Sequence, residues 1–146
     1  MVYRFISQSL RCLQTQKMIW IEKKLERDKK LIVKNFGDWE NQSYSDIPDI
    51  GFLKNYNLFK FKLSKGESHK ELYERVRFDI LCTAKKSRNK GSLVIAHAET
   101  IRSVIGLTLK PHWDCLSYNI KNLSIKGIKY QQDDDFFLVN NDFNKM

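Results

Sequence analysis

The chain has 146 residues, 42% of them hydrophobic and 29% charged, a balance that fits one globular domain and excludes general disorder. No run approaches the roughly 18 apolar residues of a membrane-spanning helix, and Arg11 interrupts the start before an apolar core of signal-peptide length can form, so a cytoplasmic, non-membrane protein is expected. Lys and Arg number 26 against 17 Asp and Glu, a formal charge of +9 that favours anionic partners, and charge alone does not separate nucleic acid from a phosphorylated metabolite.

Cys12, Cys82 and Cys115 are odd in number and far apart, which argues against a disulfide framework and against a zinc knuckle. Residues 2–6 read as a short strand. Residues 9–27 read as a helix, with Leu10, Leu13, Met18, Ile21 and Leu25 roughly on one face. Residues 28–66 are irregular and aromatic-rich, a pattern that suits a lid or binding loop. Ser68 and Glu71 then form a capping-box signature. Leu72, Val76, Ile80 and Ala84 repeat every four residues behind it, which predicts a helix to about residue 87. Residues 92–96 are a short apolar run that fits a buried parallel strand. His97 follows, and a second helix with Ile101, Val104, Ile105 and Thr108 inward. Alternation through Tyr118 and Ile120, Leu123 and Ile125, and Ile128 and Tyr130 predicts strands, with a bulge at Gly127. Asp133–Asp135 should turn the chain into a last strand at 136–139, followed by a polar tail from Asn140. The order argues for an α/β domain of three layers.

The chemistry concentrates where a strand passes through His97 into a helix. In open α/β sheets ligands bind beyond the carboxyl ends of the strands, and a helix N-terminus there suits a phosphate. His97 could donate to a phosphoryl oxygen, with Thr100 and Arg102 close in sequence; a structural histidine is the alternative. Arg11 offers a bidentate fork for phosphate or is a surface arginine. Asp38 and Glu40 in GDWE could do acid–base work or serve the loop, with Trp39 as a packing anchor. Aromatics interleave with lysine over 55–65, which could stack bases, but no nucleic-acid motif accompanies them. Asp133–Asp135 is contiguous and far from any histidine, which argues against a metal site.

These segments resemble, in order, the motifs of the histidine phosphatase superfamily, the phosphoglycerate-mutase-like proteins. SLRCLQTQKMI is similar to its Arg-x-x-Gln-Thr helix, NFGDWEN to its Phe-Gly-x-Trp-Glu segment, and GESHKELYERV to its Gly-Glu-Ser…Arg-Val helix. SLVIAHAETIRSVIG resembles its strand, second histidine and Ile-Arg helix, and NLSIKGIKY with DDDFFLVNND its closing strands. GDWE, the following Ile47-Pro48-Asp49 and VIAHA look most like α-ribazole phosphatases of cobalamin synthesis. The resemblance implies a three-layer sheet flanked by helices, a small phosphorylated metabolite as substrate, a phosphohistidine mechanism without metal or cofactor, and phosphate binding by Arg11 and His97. It implies nothing about oligomeric state.

The sequence also departs from the family pattern. Its histidines are His69, His97 and His112, and none follows an arginine, so the Arg-His-Gly nucleophile motif is absent. The family's first strand would precede Met1, as expected for a misassigned start or a decayed gene. Where the family places an acidic residue, this chain has Val33; Glu99 in His97-Ala98-Glu99 is the nearest substitute acid. The expectation is a phosphomonoesterase fold with little or no turnover as given. The alternatives are a non-catalytic phospho-ligand-binding module and a basic nucleic-acid-binding protein.

Overall fold

The computed structural model describes residues 3–19 and 25–140. Three parallel strands form the main sheet: β1 (Tyr3–Ser7) in the centre, β2 (Glu26–Asp28) on one side and β3 (Ser92–Ile95) on the other. Phe5 pairs with Val94 and Ile6 with Ile95. Because side chains alternate along a strand, these two pairs face opposite sides of the sheet. Ile6 and Ile95 pack with Cys12, Leu13 and Leu25, which places helix α1 (Leu10–Ile19) on one face. Val94 packs instead against Leu72, Val76 and Ile80 of α3 (His69–Ser87) and Val104 of α4 (Ala98–Gly106). The result is the expected three-layer order, with parallel strands covered on both faces.

Helix α3 begins as its sequence dictates. Ser68 Oγ accepts from the Glu71 N–H at 3.1 Å, and Glu71 Oε2 accepts from the Ser68 N–H at 2.8 Å, so two otherwise orphaned donors are satisfied at once. Its apolar repeat buries Leu72 and Val76 completely, each worth roughly 1.5–3 kcal/mol of transfer free energy. An antiparallel hairpin, β4 (Gly127–Tyr130) and β5 (Phe136–Asn140), sends Phe136, Ile128 and Tyr130 into the same core. The register slips between Gly127 and Ile128, which is the anticipated bulge, and Asp133 and Asp134 turn the hairpin at φ +68° and +60°. Asp tolerates this left-handed region better than most residues.

Three expectations need correction. Among the described residues the first helix runs over Leu10–Ile19, and Glu26–Asp28, expected within it, is a strand; Ile21 lies outside the described residues. Leu10 is 70% and Met18 86% exposed, so the expected apolar face is covered only in part: Leu13 and Leu25 pack with Ile6 and Ile95, and Cys12 joins them. The segment 118–126 forms no strand: Leu123 and Ile125 alternate in sequence, but both are exposed and there is no surface for them to cover. Finally, 28–66 is more ordered than its pattern suggested. It holds three single-turn 3-10 helices and a short helix, α2 (Asn55–Lys60). Of the expected polar tail, residues 141–146 fall outside the described residues.

Candidate phosphate site

β1 and β3 are neighbours, and their helices leave toward opposite faces, so the carboxyl ends of the two strands open into a crevice. Ser7 closes β1, and Arg11 follows in the first turn of α1. His97 follows β3 as the N-cap of α4: its backbone is extended, and its carbonyl accepts from the Ile101 N–H at 2.9 Å. Arg11 Nε donates to His97 Nδ1 at 3.1 Å, across 86 residues of sequence. The two residues singled out from the sequence therefore converge on one spot.

That contact fixes the state of the imidazole. Arginine can only donate, so Nδ1 holds the lone pair and Nε2 carries the proton. Nε2 then donates to Ser7 Oγ at 3.0 Å, and Ser7 Oγ–H points on to Ser9 Oγ at 3.3 Å. Burial of the ring, then the positive charges of Arg11 and Arg75, push the His97 pKa down to about 4, so it is neutral at physiological pH. Cys12 Sγ lies 3.7 Å from Nε2, and burial pushes this thiol up, which leaves it unreactive. No carboxylate pairs with Arg11 among the described residues. An uncompensated guanidinium and a helix N-terminus share the crevice with the neutral imidazole, whose N–H is already given to Ser7, which is the electrostatic make-up of an anion site. Thr100 Oγ1, buried in the first turn of α4, has no hydrogen-bond partner among the described residues.

The other candidates are placed differently. Glu99 turns away from His97: Arg102 Nη1 bonds its Oε1, and His69 Nδ1 lies 3.3 Å from its Oε2. Burial pushes the Glu99 carboxyl up, but His69, Arg102 and Lys34 outweigh it and hold it below the ordinary carboxylate value. A carboxylate stabilised in this way suits an anchor better than a proton donor. Arg102 is spent on Glu99 and on the Tyr118 carbonyl. Asp38 accepts from Ser64 Oγ and pairs with Lys65, and Glu40 accepts from the Phe36 N–H, so both carboxylates hold loops. Of the aromatics in 55–65, Phe59 is buried, Phe61 packs against Trp39, and Tyr56, 45% exposed, packs edge-on against Trp113, so they do not line up as one stacking surface. His112 stacks on Tyr73 at 4.9 Å within an aromatic cluster. No cluster of three potential metal ligands occurs among the described residues.

Sequence reasoning missed Ser7, His69 and Arg75. Ser7 is wholly buried; a polar residue ending an apolar strand four positions before Arg11 was the available signal. Arg75 bonds Glu67 and the carbonyls of Lys30, Ile32 and Val33, fixing the strand-following loop beside the crevice. His69 reads in sequence as an ordinary first-turn residue; only the fold shows it 1% exposed against Glu99 and Ser103.

The sequence profile of the histidine phosphatase superfamily (branch 1) matches residues 2–142. The chain belongs to the histidine phosphatase superfamily. Solved structures agree on the fold. The α-ribazole phosphatase of Shigella flexneri superposes with a TM-score of 0.75 at 18% identity, covering 93% of this chain and 70% of that one. A mutant phosphoserine phosphatase from Entamoeba histolytica in complex with phosphoserine gives 0.76 at 21% identity, covering 94% and 72%. The mycobacterial glucosyl-3-phosphoglycerate phosphatase gives 0.77 at 17%, covering 93% and 74%. No curated protein sequence matches significantly. Among the described residues of this superfamily member, no helix is long and apolar enough to cross a membrane.

Proposed function

We propose that this chain binds the phosphate group of a small phosphomonoester between Arg11 and His97, and that its 146 residues as they stand turn the ester over slowly or not at all. The observation that carries this reading is the Arg11 Nε to His97 Nδ1 contact of 3.1 Å, which sets a cation and a neutral imidazole side by side at the sheet's carboxyl edge. Arg11 can offer its two terminal nitrogens to phosphoryl oxygens while Nε orients the imidazole. Weak turnover follows from the same contact. A histidine attacks phosphorus through a free lone pair, and here Nδ1 spends its pair on Arg11 while Nε2 carries the proton. His69 and His112 belong to other clusters. Val33 cannot transfer a proton, and Glu99 is held as an ion pair. α-Ribazole 5′-phosphate is a candidate ligand, supported by the GDWE and VIAHA segments.

The test is thermal unfolding with inorganic phosphate, paired with turnover of 4-nitrophenyl phosphate. Phosphate at about 100 times its dissociation constant should add about 2.7 kcal/mol of stability, Arg11→Ala should erase that gain, and turnover should stay near the buffer background. Turnover that His97→Ala abolishes would refute the inactivity. Stability unaffected by phosphate would refute the site.

A further inference from the structure

Lys34 is a half-buried lysine that makes neither an ion pair nor a side-chain hydrogen bond among the described residues. Its backbone is clamped on both sides. Arg75 Nη2 donates to the Val33 carbonyl at 3.4 Å, the Asn35 N–H donates to Glu67 Oε1 at 2.9 Å, and the Glu67 N–H donates back to the Asn35 carbonyl at 2.9 Å. Its side chain lines a cavity of about 280 Å³ walled by Phe36, Trp39 and Phe61. The Phe36 ring, with its centroid 5.4 Å from Nζ, is weak compensation for lost water. Glu99 and Glu67 act on the ammonium from beyond ion-pair contact, and both carboxylates are engaged elsewhere: Glu99 with Arg102 and His69, Glu67 with Arg75 and the Asn35 N–H. Burial outweighs them and pushes Lys34 below the ordinary lysine value. Lys65 is the contrast: its side chain is 81% exposed and pairs with Asp38 at 3.2 Å.

We infer that Lys34 is a nucleophilic amine that captures an aromatic aldehyde in this cavity as an imine. This activity is separate from phosphate binding and calls on neither Arg11 nor His97. A lysine held in an apolar pocket without a counter-ion spends more of its time as the free amine, the form that attacks a carbonyl. The nitrogen lone pair bonds to the aldehyde carbon while one N–H proton passes to the oxygen, which gives a carbinolamine. The second proton then leaves the nitrogen, the C–O bond breaks, and the oxygen departs as water, leaving C=N. Glu99, on the cavity lining, can relay these protons. The three aromatic walls favour a ring on the aldehyde over an alkyl chain.

Benzaldehyde with cyanoborohydride, which reduces the imine to a stable secondary amine, tests it on the full chain, and peptide mass spectrometry reads the rate at each lysine. Near neutral pH, Lys34 should be benzylated about tenfold faster than Lys65, because each unit of lowered pKa yields about ten times more free amine. Unfolding in urea should erase that preference, and Trp39→Ala, which admits water and removes a wall, should shrink it. Acetaldehyde, which has no ring, should prefer Lys34 less than benzaldehyde does. Lys34 reacting no faster than Lys65 in the folded protein, or a preference that survives urea, would overturn the assignment of the amine. Equal preference with both aldehydes, or one untouched by Trp39→Ala, would overturn the aromatic class. If Trp39→Ala does not fold, the comparison of the two aldehydes on the wild type decides that point alone.

Discussion

Replacing His97 with Gln should flatten the pH dependence of stability on the acid side. The native imidazole has a pKa of about 4 against an ordinary 6.5. The folded state therefore favours the neutral ring, and between those values the unfolded chain takes up a proton that the native chain refuses. The stability held by the neutral form is complete above pH 6.5 and is lost as pH falls toward 4. At about 1.4 kcal/mol per pH unit the loss has an upper bound of about 3.4 kcal/mol. Arg11 is solvent-exposed, so screening trims the expected loss to about 2 kcal/mol. Urea unfolding of both proteins between about pH 7.5 and 4 measures it. Carboxylates titrate in both, so the difference isolates His97. The wild type should lose about 2 kcal/mol more than His97→Gln over that range, and Arg11→Met should shrink the gap without closing it, because burial is the larger cause. Curves parallel to within about 0.5 kcal/mol would mean that the ring is neither buried nor held neutral, and the lone-pair argument would fall with it.

Two further outcomes are expected. Gly37 sits at φ +55°, and a Cβ there would lie 2.0 Å from the Ser64 carbonyl oxygen, so Gly37→Ala should cost about 3 kcal/mol and lower Tm by roughly 6–12 °C, as read by calorimetry. The Asp79 carboxyl is pushed up to about 6, first by burial and then by its neighbour Asp28. The native state binds that proton more tightly than the unfolded chain, so wild-type stability falls as pH rises from 3.8 through 6. Asp79→Asn should thus stabilise the protein by about 1 kcal/mol at neutral pH, a gain that fades near pH 4 in paired thermal melts.

The elements that the sequence declared were those with a local cause. The capping box at Ser68 and the four-residue repeat behind it state where α3 starts and which face it buries, and the apolar run before His97 states a covered strand. Arg11 and His97 were legible because strand-to-helix junctions collect anion-binding groups whatever the rest of the fold does. What stayed hidden depends on partners distant in the chain. Helix propensity over 9–27 was overridden by pairing of Glu26–Asp28 with Phe5–Ser7. The roles of Asp38 and Glu40 were undecidable until Ser64, Lys65 and the Phe36 amide came into place. Leu123 and Ile125 carried a strand's alternation with nothing to cover. Ser7 and His69 became notable only through burial, which no single position announces.

The guanidinium and imidazole that meet in the crevice come from opposite halves of the chain, 86 positions apart. Neither half can assemble the crevice alone, and local fraying leaves no partial version of it: once β1 and β3 separate, the two groups part by far more than an anion can bridge. Ligand affinity should therefore be all-or-none with respect to global unfolding, and a nick or deletion that loosens the central strand pair should abolish retention on a phosphate matrix even where helix content persists. The crevice serves as an internal gauge of whether the first and last thirds of the sheet have found each other.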